Sequence, residues 1–204
     1  MDMRARLVAA AALVYADNGY RGATTRRIAQ AAGVNEVTIF RHFGSKAALL
    51  TEAIHERSRN GTSEGLPTAP ARPDREVTAW AQALMRHLVE QRALIRTCMG
   101  EMSEHPEIVD AARAQPERAM SELQAYVGRL QATNLARRDF TPAGAAGMLI
   151  GAVFSEAVSR DLMPAMYARK REENVAEYVR LFLRAIGVEA GARQDKRNGR
   201  KRTR

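Results

Sequence analysis

An all-α chain is what this sequence predicts, and three observations carry that expectation. Hydrophobic residues make up 46% of the 204 positions while aromatics make up only 5%, with Ala and Leu prominent, a composition that favours helices over sheets. No alternation of apolar and polar residues bounded by turn residues marks a strand anywhere. Apolar residues instead recur at helical spacing in one segment after another, punctuated by Gly, Pro and capping residues.

The elements follow in order. Leu7, Ala10, Ala11, Leu13, Val14 and Ala16 give a first helix a broad apolar face, and Asn18-Gly19 stops it, glycine suiting a left-handed cap. A second helix opens at Thr24, a good N-cap, and runs to about Ala32. Gly33 makes the turn, Asn35 caps a third helix ending near Phe43-Gly44, and Ser45 caps a fourth that runs to about Arg59. Residues 60–73, NGTSEGLPTAPARP, hold three prolines and two glycines and read as a linker. Val77, Trp80, Ala81, Leu84 and Leu88 then mark a long amphipathic helix. Helical patterns follow at about 93–103, 106–114 and 116–133, with Pro106 and Pro116 each placed at a first helical position. Thr141-Pro142 starts a helix to about Arg160, and Val175, Val179, Phe182 and Ile186 form the stripe of a last one. The expected organisation is a head over 1–59, the linker 60–73, a helical body over 74–186 and a polar, unfolded tail over 187–204.

Charge sharpens this division. Residues 1–60 carry nine Lys/Arg against five Asp/Glu; residues 61–186 carry sixteen of each; residues 187–204 carry seven against two. The net +9 therefore sits at the two ends, where a polyanion could be met, although a charged tail that only aids solubility fits as well. The longest apolar run, 143–154, is about half the roughly 20 residues that a membrane span needs, and no membrane partner is expected. Asp17 and Asn18 follow the first apolar run where a signal peptide would have a small-residue cleavage site. The lone Cys98 excludes an internal disulfide. A cytoplasmic protein is expected.

The stretch 24–46, TTRRIAQAAGVNEVTIFRHFGSK, is the most informative. Two short helices that cross closely need small and apolar residues at fixed offsets. Ile28 and Ala29 precede Gly33, Ala32 and Val34 flank it, and Ile39 follows six residues later. That is a helix-turn-helix. Quoted as it stands, GYRGATTRRIAQAAGVNEVTIFRHFGSKAALL resembles the N-terminal domain of the TetR family of bacterial transcriptional regulators over about a quarter of the chain. The resemblance implies a homodimer on a palindromic double-stranded DNA operator, released when a small molecule enters the helical body.

Carried over residue by residue, the resemblance assigns DNA contact to Thr24, Thr25, Arg26, Asn35, Glu36, Thr38, Phe40, Arg41, His42 and Lys46. The chemistry agrees in part. Thr24 and Thr25 open a helix whose free N–H groups and dipole favour a phosphate, although plain capping fits them equally. Arg26 in that first turn opposes the dipole unless a phosphate is present. Arg41 is suited to a guanine or a phosphate, Glu36 to a cytosine amino group or simply a helix start, and Thr38 to a thymine methyl. His42 and Lys46 match backbone-gripping positions. Phe40 stands where the family more often has tyrosine; a phenyl ring cannot donate to a phosphate, and apolar contact with a sugar or a thymine methyl remains open to it.

In the body, methionine and aromatic side chains adapt to apolar ligands, and Trp80, Met99, Met102, Met120, Tyr126 and Phe154 are candidates to line an effector pocket or else plain core. His87 and His105 lack ligand-spaced partners, so no metal is expected. Gly147, Gly151 and Ser155 repeat every four residues, a ridge that invites close packing against another helix, within the subunit or across a dimer. The resemblance places the dimer interface on the last two helices, which makes Ala145, Leu149, Gly151, Ala152, Ser155, Tyr178, Phe182 and Ala185 its candidates. No phosphate loop, GxSxG, HExxH or paired cysteines appear, so neither catalytic residues nor a cofactor are expected. The competing reading is an architectural, sequence-blind DNA binder using both basic ends.

Overall fold

The structure is a computed structural model and describes residues 2–59 and 65–188. The described residues form ten α-helices and one 3₁₀ turn, with no strand among them. The basic residues from Arg193 onward, and the first five residues of the expected linker, lie outside the described residues.

α1 (Met3–Gly22) is capped by Asp2, whose carboxylate accepts the Ala5 N–H at 3.0 Å. Its regular path ends at Gly19, where φ is +67°, a backbone setting that costs glycine little. α2 (Thr25–Ala32) and α3 (Glu36–Phe43) are capped by Thr24 and Asn35 through side-chain oxygens. Between them Gly33 sits at φ +65° and the Val34 N–H returns to Ala29 at 3.0 Å, the hydrogen-bond pattern of a Schellman ending. Arg6 reaches the orphaned Ala32 carbonyl at 2.6 Å and closes the same helix end from α1. Ser45 caps α4 (Lys46–Arg59), accepting from the Ala48 N–H at 3.1 Å.

α5 (Pro73–Glu90), α6 (Arg92–Glu101), α7 (Pro106–Ala112), α8 (Ala114–Ala132), α9 (Pro142–Ser159) and α10 (Arg171–Ala185) complete the body. Pro106 is the first residue of α7 as expected, but Pro116 is the third residue of α8 rather than its first. The reason is that the first four N–H groups of a helix have no intrahelical acceptor, so a missing donor costs little at any of them. α10 ends where the tail was expected to begin. Gly187 at φ +80° and the Val188 N–H, which bonds Leu183 at 2.8 Å, form its cap, and Val188 packs on the core.

Two apolar clusters result. One joins α5, α8, α9 and α10 around Trp80, Leu123, Tyr126, Leu149, Val153 and Phe182. The other joins Leu7, Tyr15, Ile28, Ile39, Leu50 and Ile54 of the first four helices, and also takes in Leu94 and Cys98 of α6 and Ile108 of α7. The core thus divides in space differently from the way the linker divides the sequence, because α6 and α7 pack on α1 and α4. α9 is 18 residues long with a mean hydropathy of 1.2, enough by length and composition to cross a membrane, which the shorter run 143–154 concealed. It packs between α5, α8 and α10 as a core helix.

Candidate nucleic-acid interface and cavity

α3 turns Ile39 fully inward and leaves Val37 and Phe40 70% and 50% exposed. Arg41 and His42 are exposed beside them, and neither has an ion pair or hydrogen bond among the described residues. Exposed valine and phenylalanine next to an unpaired guanidinium make a surface that can meet thymine methyls and sugars as well as base edges. Val37 was not among the expected contacts; its signal was its place on the outer face, one residue from Thr38 and three from Phe40. Thr24 and Arg26 are exposed at the start of α2 and Asn35 at the start of α3, while Thr38 is half-buried.

Besides the capping oxygens of Thr24 and Asn35, three expected contacts are engaged with another element of the protein. The Thr25 hydroxyl donates to the Glu36 carboxylate, tying α2 to α3 and occupying both groups. The Lys46 ammonium donates to the Tyr20 carbonyl at 2.7 Å and lies 3.9 Å from the centre of the Tyr20 ring. Burial holds its pKa below the ordinary lysine value, with Glu101 opposing that shift. Lys46, read from the sequence as a phosphate grip, is therefore placed by the fold at the junction between α4 and the end of α1, where a carbonyl and an aromatic face compensate its desolvation.

That junction extends to α6. The Glu101 carboxylate accepts the Tyr20 N–H at 2.8 Å, and Thr97 donates to the Ala16 carbonyl at 2.9 Å. His105 stacks on Tyr20 with ring centres 3.7 Å apart. The second Glu101 oxygen and the Tyr15 hydroxyl are buried with no partner among the described residues. Burial, with Cys98 and Glu101 adding to it, pushes the Tyr15 phenol well above its ordinary pKa. No local sequence pattern announces these contacts, since their members lie 81 residues apart.

The same α6 forms one wall of a cavity of about 210 Å³, bounded elsewhere by α4, α5, α7, α8 and α9 and open on one side. Met99, Met102 and Phe154 line it, with Leu88, Leu94, Ile95, Cys98 and Ile150. Trp80, Met120 and Tyr126, the other expected lining residues, are not part of its wall. Trp80 and Tyr126 are buried in the body core, where they bond Glu122 at 3.0 Å and Glu76, because their polar tips need partners once the rings are buried. Ser58 also faces the cavity, but its hydroxyl is spent on the Ala112 carbonyl and the Gln115 N–H at 3.1 and 3.0 Å. Among the described residues no three His, Cys, Asp or Glu side chains gather as a metal site.

The outer faces of α9 and α10 carry Met148 at 52% and Leu181 at 54% exposure, with Gly151, Ser155 and Ala185 also exposed and Ala152 and Tyr178 half-buried. Ala145, Leu149 and Phe182 are corrected as interface candidates: they are buried in the chain's own core, Phe182 at 1% exposure, so they have no surface to offer a partner. The Tyr178 hydroxyl is likewise committed, donating at 2.8 Å to Glu156, which is fully buried on α9 and also bonded by Arg160 and Asn174. A side chain added at Gly151 would meet nothing within 4 Å, and Ser155 bonds Tyr167 at 3.2 Å.

Residues 7–53 match the profile of the bacterial regulatory proteins of the tetR family, and residues 75–188 match that of the AefR-like transcriptional repressor C-terminal domain. The Bacillus subtilis regulator YvkB, an uncharacterised HTH-type transcriptional regulator, is 40% identical over 55 residues, which are 27% of this chain and 29% of YvkB. A TetR-family regulator from Mesorhizobium loti MAFF303099 superposes with a TM-score of 0.71 at 21% identity, over 91% of this chain and 97% of that one. The Bacillus subtilis regulator FadR, solved with stearoyl-CoA, superposes with a TM-score of 0.63 at 14% identity, over 87% and 96% of the two chains.

Proposed function

The chain belongs to the tetR family of bacterial regulatory proteins, and from that premise we propose that it is a cytoplasmic transcriptional repressor that grips an inverted-repeat operator as a homodimer and releases it when a small molecule fills the α4–α9 cavity. The observation that carries this reading is that one ten-residue helix, α6, both walls the cavity through Leu94, Ile95, Cys98 and Met99 and holds the end of α1 through Thr97 and Glu101. A ligand that displaces α6 moves α1 with it, and α2 and α3 ride on α1. FadR carrying stearoyl-CoA supports a body that binds small molecules in this fold.

In this reading Arg41, Val37, Thr38 and Phe40 face the major groove, His42 grips the backbone beside them, and Thr24, Arg26 and Asn35 meet phosphate where α2 and α3 begin. Each protomer contributes one recognition helix, so two half-sites lie about one helical turn apart or slightly more. The dimer forms through the outer faces of α9 and α10, around Met148, Gly151, Ser155, Leu181 and Ala185. Residues 1–59 then act as the head, 74–186 as the body, and the basic tail adds affinity without sequence choice.

Footprinting on the DNA upstream of the chain's own gene tests this. One protected inverted repeat is expected, with protection lost on adding effector. Uniform weak protection everywhere would instead make the protein an architectural binder.

A further inference from the structure

The cavity wall is carbon and sulfur almost throughout. Cys98 and Met99 of α6 and Met102 just beyond its end supply three sulfur atoms, and Phe154 faces the same space from α9. Thioether and thiol sulfur pack favourably against aromatic ring edges. We propose that this cavity takes a small, uncharged aromatic compound of one or two rings.

The inference rests on the reading of the cavity as the effector site, and three properties of the wall carry it further. The first is size. An apolar cavity of about 150 Å³ stays dry and takes up benzene. At about 210 Å³ this one has room for a substituted ring or a compact bicycle. The second is charge. Arg57 is the one permanently ionised side chain in a wall that is otherwise apolar almost throughout. His87 is held neutral by burial at ordinary pH, with Glu90 partly opposing, and burial pushes the Cys98 thiol up to about 11, so it is not a thiolate. A carboxylate brought into this wall would have Arg57 alone to compensate it against an apolar lining on every other side, and a poorly compensated buried charge is disfavoured. The third is polarity. The Ser58 hydroxyl already has both its partners, so it makes no demand on a ligand. Met99 and Met102 line the cavity yet stay half exposed, which gives its open side two unbranched side chains that can part and re-close.

Matched pairs test the proposal on the full chain: toluene against benzoate, and naphthalene against 2-naphthoate, titrated at pH 7 by calorimetry and by methyl NMR of labelled methionine. The neutral member of each pair should bind at least tenfold more tightly than its carboxylate. Its ring protons should show Overhauser contacts to the Met99 and Met102 methyls. Ala119→Phe, which fills the cavity from α8, should weaken toluene at least tenfold, and Ala112→Leu serves as a second filling variant where the first does not fold. Carboxylates binding as tightly as their neutral partners, or toluene shifts unchanged in a folded filling variant, would overturn the proposal. So would DNA release by an anionic or long-chain compound with no aromatic binding, which would leave the effector reading standing. Toluene binding that leaves DNA affinity unchanged would support the ligand class and count against the effector reading.

Discussion

Glu101 and Tyr20 are joined at 2.8 Å, carboxylate to backbone N–H, and this bond spans 81 residues of sequence to fix the end of α6 on the end of α1. It is a part-buried bond to a charged acceptor, at the point where α1 leaves its helical path. Glu101→Ala should leave the Tyr20 N–H without its acceptor and lower stability by roughly 1–3 kcal/mol. Urea unfolding followed by circular dichroism measures it. An unchanged midpoint would show that water replaces the carboxylate at no cost and that the junction is looser than drawn.

Arg41 and Lys46 should separate in a DNA-binding experiment. Arg41→Ala should cost roughly 1–3 kcal/mol on the operator and much less on random duplex, and should relax the preference at one base position per half-site. Lys46→Ala should leave the slope of log affinity against log salt where it was, because the ammonium is bound to Tyr20 rather than to phosphate. It should instead lower stability by about 1 kcal/mol through the lost hydrogen bond and ring contact. A slope reduced by about one unit in Lys46→Ala would return that lysine to the DNA surface.

Two neighbouring residues of α10 distinguish interface from core. Leu181→Asp alters an exposed residue and should give folded monomers in sedimentation, with weak operator binding. Phe182→Asp puts a charge into the chain's own core and should unfold the protein, at a cost above about 4 kcal/mol. If Leu181→Asp remains a dimer at micromolar concentration, the interface lies elsewhere.

His87 sets a pH dependence. Burial lowers its pKa in the folded chain below the ordinary 6.5, with Glu90 partly opposing. As pH falls below about 6.5, the unfolded chain binds a proton that the folded chain does not, so stability declines until the folded pKa is passed. His87→Gln should be flatter than the natural chain as the pH falls below about 6.5. Parallel stability curves for the two would assign that slope to other groups.

Most helix starts and stops were legible because each is a local event. Thr24, Asn35, Ser45 and Thr141 cap with their own oxygens, and Gly19 and Gly33 take the left-handed settings that other residues resist, while the Asp2 cap of α1 and the Gly187 ending of α10, placed by the sequence in an unfolded tail, were not read. The outer face of α3 was legible for the same reason, since a short helix has one apolar side to bury. What the sequence hides is pairing over distance. Nothing in TTRRIAQAAGVNEVTIFRHFGSK shows that Lys46 turns to Tyr20 or that Glu36 turns to Thr25, because a free charge and a paired one look alike in a string. Phe182 and Leu181 likewise differ in burial only through which neighbours α10 meets. The cavity was half legible: methionines marked its α6 wall, while Trp80 and Tyr126, equally adaptable by type, were claimed by Glu122 and Glu76 in the core.

That Leu94, Cys98 and Ile108 complete the apolar cluster of the first four helices has a consequence during synthesis. A nascent chain can form the caps and turns of α1 to α4 as soon as they leave the ribosome, but their inner surface stays open until residues near 111 have followed. At roughly 5–20 residues per second, the fifty or so intervening residues take some seconds to appear. Through that interval Tyr15 and Ile54 border an unfilled groove, a target for chaperones and for self-association. A fragment ending at Arg59 would remain in that condition permanently, so the segment most easily recognised in the sequence is not one the ribosome can finish alone.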